Sequence, residues 1–357
     1  MDPLETRVHL RGHTPETLVA GRPELGLDLG VARRLLSRVL FEDRDDFDGV
    51  RGLSKATAAR LAAATRLTRL EIADRRQSQV DPFVKYLFRT EQGEAFESVR
   101  IPLERPRYSV CVSSQVGCAL ACAFCETGRL GFARNLEPWE IVEQVMAVRR
   151  EATDRPVTGV VFQGQGEPFQ NYDHVMRAAA VLRDPCGLRI RGDRITISTV
   201  GLLPQIERFT EEGHPYRLIL SLTSAFGARR AELMPIGRTY DVPELAAAVI
   251  RLARRRGGPV HLAWVLMAGV NTGADEAREL GRLFAGVPVR LSVIDYNAAP
   301  DEERFRRADD AERGRFLSAL AEAGIGFVRR YSGGPDIDAA CGLLASRARG
   351  GASLAPR

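Results

Sequence analysis

Cys118-Ala-Leu-Ala-Cys122-Ala-Phe-Cys125 carries three thiols in eight residues. Three thiolates this compact form a metal or cluster site. A structural zinc site closes with four protein ligands, and an iron–sulfur cube ordinarily takes four thiolates. No fourth ligand stands beside these three. A cube with one iron left without a thiolate accepts a small chelating ligand, and the spacing points to that chemistry. A zinc knuckle is the bland alternative. Gly117 lets the backbone wrap closely around whatever the loop holds. Phe124 either shields one edge of it or packs as an ordinary apolar side chain.

Further along, Gln163-Gly-Gln-Gly-Glu-Pro168 places two glycines where a ligand can approach the backbone. Glu167 is an acceptor suited to the amino group of an amino-acid ligand. Ser198, Ser221 and Asn297 each stand at or just after the end of an expected strand. Singly they read as caps; together they form one coherent rim. Three cysteines lie outside the triad: Cys111, Cys186 and Cys341. A buried structural thiol is the ordinary reading for each, and it is the one assigned to Cys186. Two thiols outside a cluster can also alternate between free and disulfide states. Gly333-Gly334 is expected to form a mobile loop that brings Cys341 over the site.

Positioning these residues takes a repeated strand–helix unit. Short β-branched strands are expected at 109–112, 158–162, 194–198, 217–222, 260–266, 289–294 and 326–331. Helices are expected at 138–150, 172–182, 203–210, 242–255, 274–284 and 311–323. This alternation predicts an α/β chain with a parallel sheet. With the triad right after the first strand, a partial (β/α)6 barrel is favoured over a flat doubly wound sheet. Residues 1–80 read as a small N-terminal helical domain, an accessory or docking unit, with 1–22 a loose lead-in. Its helices come from Val31, Leu35, Leu36, Val39 and Leu40 and from a second segment capped by Ser54. Residues 81–104 read as a β-hairpin extension, 105–345 as the core, and 346–357 as a flexible tail.

The 357 residues are 45% hydrophobic and 27% charged, ordinary for a globular chain. No apolar run is long enough to span a bilayer. The first residues lack a basic segment followed by an apolar core, so no secretory signal is expected. Six cysteines in a chain of this length do not make a secreted disulfide framework; a cytoplasmic location and a monomer are expected. The formal charge of +5 suits a polyanion such as RNA, and equally a solvated arginine-rich surface. Only Lys55 and Lys85 are lysines.

Cys111-Val-Ser-Ser-Gln-Val-Gly-Cys118-Ala-Leu-Ala-Cys122-Ala-Phe-Cys125-Glu-Thr-Gly128, Gly166-Glu-Pro168, Glu232-Leu-Met-Pro235 and Asp336-Ile-Asp-Ala-Ala-Cys341-Gly342 together resemble the RlmN/Cfr radical SAM RNA adenine methyltransferases. The resemblance implies a radical SAM barrel with one [4Fe-4S] cluster on Cys118, Cys122 and Cys125. It implies S-adenosylmethionine (SAM) contacts from Gly166, Glu167, Ser198, Ser221, Leu222, Thr223 and Asn297. It implies that one SAM methylates Cys341 and that a radical from a second SAM takes a hydrogen from that methyl. The carbon would then join carbon 2 or carbon 8 of an adenosine. Cys111 would release the product by forming a transient disulfide with Cys341. Glu97 stands near the family's proton acceptor, displaced by one residue relative to Cys111. Implied partners are 23S rRNA, tRNA, and an electron donor such as flavodoxin or ferredoxin, with no membrane.

The chain also departs from the family. Ser221-Leu-Thr223 stands for Ser-Leu-His, Gln163 and Gln165 stand for methionines, and Asp295-Tyr-Asn-Ala298 stands for Pro-aromatic-Asn-Pro. These changes surround the pocket and spare the cysteines, so a divergent member with the same reaction type is expected. Two other readings stay open. One keeps the chemistry on a small nucleoside-like metabolite. The other is a non-catalytic RNA-binding or cluster-sensing protein, which has no need of both Cys111 and Cys341.

Overall fold

The computed structural model describes residues 7–298 and 303–344. Seven parallel strands stand side by side in chain order: Tyr108–Val112, Val157–Phe162, Ile195–Thr199, Arg217–Ser221, Val260–Leu266, Val289–Asp295 and Gly326–Arg330. Each crossover returns to the next neighbour, the connectivity of a barrel wall. Three antiparallel strands, Glu71–Gln77, Val84–Arg89 and Ala95–Pro102, extend the Tyr108–Val112 edge to a ten-stranded sheet. The outermost strands, Glu71–Gln77 and Gly326–Arg330, do not pair with each other, so the barrel is partial. The sheet nevertheless curls far enough for both edges to meet. Phe83 and Tyr331 stack edge-on at 6.1 Å, and the Tyr331 hydroxyl donates to Asp81 at 2.8 Å.

Why these segments form these elements is readable locally. The central parallel strands are rich in Val and Ile and are covered by helices, as strands buried on both faces are; the edge strand Gly326–Arg330 is largely exposed. Helix Pro138–Glu151 starts with proline at its first position and a reciprocal Glu137/Glu140 cap. Helix Val242–Arg256 is capped by Asp241 and stops at Gly257. Its buried Leu245, Ala248, Val249 and Leu252 face the sheet, each large side chain contributing about 1.5–3 kcal/mol.

Two expectations are corrected. Of the stretch 1–22 expected to be a loose lead-in, the described part, 7–22, is packed: Pro15–Gly21 is helical, capped by Thr14, and Leu10 and Leu18 are fully buried. Its apolar residues, Leu18, Val19 and Ala20, are consecutive in a segment of two turns and give no period to read. The stretch 1–80 is also not wholly helical. Beyond helices Leu29–Leu40 and Lys55–Ala64, Glu71–Gln77 is an edge strand of the main sheet. Its polar residues conceal it, and such charges suit an exposed edge. The tail expected from 346 to 357 lies outside the described residues.

The N-terminal unit is bolted to helix Pro138–Glu151 by a buried charge network. Arg11 is fully buried, donates to the Leu67 and Thr68 carbonyls at 2.6 and 3.0 Å, pairs with Asp45, and lies 3.4 Å from buried Glu143. Arg150 joins Glu143 to Asp43. His9 stacks flat on Trp139 beside it, their centroids 3.9 Å apart.

Candidate active site

The strand Tyr108–Val112 delivers the chain to a small hairpin, Gln115–Gly117 against Phe132–Asn135, whose tip bears the cysteine triad. Gly117 has φ of 73°, and a Cβ there would fall 1.9 Å from the Gly131 carbonyl oxygen, so only glycine closes this neck. Cys118 donates its N–H to that same oxygen at 2.7 Å. The Ala123 N–H donates to the Leu233 carbonyl at 2.9 Å and pins the tip to the Gly227–Arg238 segment. All three thiols line one cavity of about 1350 Å³ including its mouth, at the C-terminal ends of the parallel strands.

Burial pushes each of these thiols up, Cys118 to about 11, and the neighbouring cysteines push Cys118 and Cys122 further. Bound metal reverses this by taking the thiolate and releasing the proton. Among the described residues no three of His, Cys, Asp or Glu close around a single metal ion. The thiols ring a shared space instead, which suits a cluster whose irons each take one thiolate. Arg230 agrees with that fit. It is fully buried behind Cys122, donates one nitrogen to the Val200 carbonyl, and its Nε and Nη1 find no hydrogen-bond partner among the described residues. A buried cation left so under-satisfied needs an anionic neighbour. A thiolate-ligated cluster supplies one.

The far wall comes from the next strand ends. Gly166, with φ of 94°, packs against Gln115, where a Cβ would meet side-chain carbon at 2.5 Å. Glu167 is buried and lines the cavity; its carboxylate accepts the Phe169 and Val200 N–H groups at 2.9 Å each. Burial pushes its carboxyl up to about 7 despite those bonds. Ser198 and Ser221 also line the cavity, their hydroxyl oxygens 3.2 Å apart. Thr223 lines it with φ of 62°, a strained conformation for a β-branched residue. Buried Asn271 holds that turn by donating to the Thr223 carbonyl at 2.7 Å.

Cys111 and Cys341 line the same cavity, and all six cysteines are free thiols. Cys111 is buried, and burial with Cys341 nearby pushes its thiol up. Cys341 is open to the cavity, and the protein around it raises its thiol as well. The segment that carries it was expected to be mobile, yet it is tied on three sides. Ser78 and the Gln79 N–H donate to Asp336 at 2.7 and 2.8 Å, and the Gly334 N–H donates to Asp81 at 2.8 Å. The Glu126 N–H donates to the Gly342 carbonyl at 2.8 Å, and the Thr127 hydroxyl to the Leu344 carbonyl at 2.7 Å. On the third side the Asn297 amide donates to the Ser332 hydroxyl and to the Cys341 carbonyl.

Three residues named from the sequence are not among those lining the cavity. The Leu222 side chain sits in the core, 1% exposed. Asn297 is spent on the Cys341 segment. Glu97 is buried and pairs with Lys85 at 3.1 Å, on the sheet face that carries Val99 and Cys111. Sequence reading missed Arg230, Lys85, Asn271 and Gln115, whose side-chain oxygen accepts the Glu167 N–H at 2.9 Å. For none of these was there a spacing signal; each matters through burial and distant pairing.

Residues 112–282 match the Radical SAM superfamily. The chain is 46% identical over 347 residues to a probable RNA methyltransferase of Anaeromyxobacter sp. (strain Fw109-5), covering 96% of this chain and all of that one. It is 36% identical to the dual-specificity RNA methyltransferase RlmN of Syntrophotalea carbinolica, covering 95% and 90% of the two chains. The crystal structure of a radical SAM methyltransferase from Sphaerobacter thermophilus superposes with a TM-score of 0.87 at 36% identity, covering 95% of this chain and all of that one. No helix among the described residues is long and apolar enough to cross a membrane.

Proposed function

The chain belongs to the RlmN-like radical SAM RNA methyltransferases, and on that premise we propose that it methylates carbon 2 or carbon 8 of an adenosine in RNA through a methyl-cysteine at Cys341. The observation that carries this reading is the meeting of Cys111 and Cys341 with the three loop cysteines at one cavity. Binding RNA needs neither thiol; carrying and releasing a carbon needs both.

Cys118, Cys122 and Cys125 hold a [4Fe-4S] cluster, and Gly166, Glu167, Ser198, Ser221 and Thr223 surround SAM. Bound together, cluster and SAM supply a transferable methyl group and a carbon radical that abstracts hydrogen. Glu167 receives the ammonium of the amino-acid end, for which it must be ionised. Ser198 and Ser221 offer hydroxyls at the opposite strand ends. Phe83, Val99 and Ile101 line the side of the cavity nearest Cys111 and keep water from the reacting carbon. The Cys341 thiolate takes the first methyl. Once that carbon is joined to the base, the adduct still carries one unpaired electron, which would return to the oxidised cluster, and Glu97 accepts the proton leaving the ring carbon. The Cys111 thiolate then attacks the Cys341 sulfur. A sulfur–sulfur bond forms and the sulfur–carbon bond breaks. Its electron pair goes to the methylene carbon, which takes up a proton and becomes the methyl of the product. A dithiol reductant reopens the disulfide, and a flavodoxin- or ferredoxin-type donor feeds the cluster.

The expected substrate is 23S rRNA, with tRNA second. Bases splayed from structured RNA are read by stacking and edge contacts. Tyr331, 70% exposed beside the cavity, offers an aromatic face for such a base. A cytoplasmic monomer fits this role. Mass spectrometry of rRNA and tRNA nucleosides from a deletion strain tests the reading. Loss of 2-methyladenosine or 8-methyladenosine is expected. Unchanged RNA beside a missing small-molecule product would move the activity to a metabolite.

A further inference from the structure

Lys85 is one of two lysines in the chain and it is buried, 5% exposed. Burying an ammonium is costly unless it is paired and hydrogen-bonded. Lys85 has two acceptors. The Glu97 carboxylate lies at 3.1 Å, and the Asp338 carbonyl accepts at 3.3 Å. The first belongs to the hairpin extension. The second belongs to the segment that ends in Cys341. Lys85 therefore joins the group that accepts a proton to the loop that carries the carbon, across 253 residues of sequence.

The register explains the reach. Lys85, Val99 and Cys111 are direct cross-strand neighbours on one sheet face, and Glu97 stands one pair further along. A long side chain spans that diagonal. Asp338 hangs over the same face in a left-handed conformation, φ 53°, between Ile337 and Ala339, which pack with Val99 and Cys111. A buried ion pair on its own adds little stability, because desolvation offsets the attraction. Stability alone does not explain a buried lysine here.

We propose that Lys85 is a positioning residue that couples docking of the Cys341 segment to the Glu97 carboxylate. With the segment docked, the ammonium is shared between carboxylate and carbonyl, and the Glu97 carboxylate is held in one position on this face. With the segment lifted, the Asp338 acceptor is gone and the ammonium is free to shift. The base is thus set only when the carbon carrier is in place. The other charged and titratable groups on this face include Arg76 and Asp74 from the neighbouring strand, paired with each other at 2.8 Å, Arg89 further along Lys85's own strand with Glu71 at 3.7 Å, Cys111 from the next strand with Cys341 opposite it, and Asp338 itself. This role rests on the methyl-cysteine reading above.

The test compares wild type, Lys85→Met and Lys85→Arg, each reconstituted with cluster and supplied with SAM, reductant and rRNA plus tRNA from a deletion strain. Removing the charge leaves a buried carboxylate less compensated, and burial then favours its protonated form. In Lys85→Met, methyladenosine formation at neutral pH should fall about tenfold to a hundredfold, within what a positioned base contributes. The rising limb of its pH profile should move to higher pH, while SAM cleavage to 5′-deoxyadenosine continues. Deuterium uptake over 334–341 should speed up in the same variant. Lys85→Arg should restore the pH limb at least in part. An unmoved pH limb together with unchanged uptake in folded Lys85→Met would overturn the role. If Lys85→Met does not fold, Lys85→Gln, which keeps a donor and loses the charge, is read the same way. Should wild type itself make no methyladenosine, the RNA reading fails, and the uptake measurement still decides whether Lys85 ties the segment down.

Discussion

The Asn297 side-chain amide donates to the Cys341 carbonyl at 3.2 Å and to the Ser332 hydroxyl at 3.1 Å. A residue expected from the sequence to touch SAM thus bonds to the loop that bears Cys341, the proposed methyl carrier. The two roles separate kinetically. Asn297→Ala should lower kcat about tenfold and leave the KM for SAM nearly unchanged, since a transition-state arrangement is lost and ground-state binding is not. A KM rise at constant kcat would return Asn297 to the SAM site.

Glu167 sets a pH dependence whose sign follows from its environment. Burial raises its carboxyl to about 7, so it is increasingly neutral below that pH and ionised above it. An ammonium ligand needs the ionised form. SAM affinity should be flat above about pH 7.5 and weaken below pH 7, by at most about tenfold per pH unit. The same shift makes this group's contribution to stability fall as pH rises from its unfolded value toward 7. Glu167→Gln should bind SAM about 1.5–3 kcal/mol more weakly and without that pH trend, as calorimetric titration would read. An unaltered trend in the glutamine variant would remove Glu167 from the ammonium.

Arg11 holds the N-terminal unit to the core. Arg11→Leu strips one counter-charge from buried Glu143 and leaves the Leu67 and Thr68 carbonyls without their donor. The expected loss is about 3 kcal/mol, the cost of breaking a buried pair, measured as a lower urea midpoint. Little change would mean that Arg150 alone compensates Glu143.

How much of this was legible in the sequence differs by element. Strand Val260–Leu266 begins and ends where its apolar run does, and the other parallel strands fall within one residue of their runs. The central strands are mostly apolar because they are buried, so their limits show, while the exposed edge strand Gly326–Arg330 is marked by its short Phe-Val core between Gly326 and the arginines. Glu71–Gln77 and Pro15–Gly21 were not legible, one polar and one too short. The cysteine triad is legible because its chemistry is local. Lys85 and Arg230 are not, because what matters about them is burial and a partner far away in the chain. The Leu222 side chain turns into the core just after the strand that ends at Ser221, a direction the residue types alone do not give. Thr223, where the family has histidine, lines the cavity in a left-handed turn that no pattern of residue types would announce.

The most direct measurement uses Cys111→Ala, reconstituted anaerobically and incubated with reductant, methyl-labelled SAM and rRNA plus tRNA from a deletion strain. Without Cys111 to attack the sulfur, the carbon stays joined to both protein and base. Mass spectrometry should find an RNA–protein adduct whose labelled bridging carbon sits on Cys341. Labelled methyladenosine released from this variant at the wild-type rate, with no adduct on Cys341, would contradict the account.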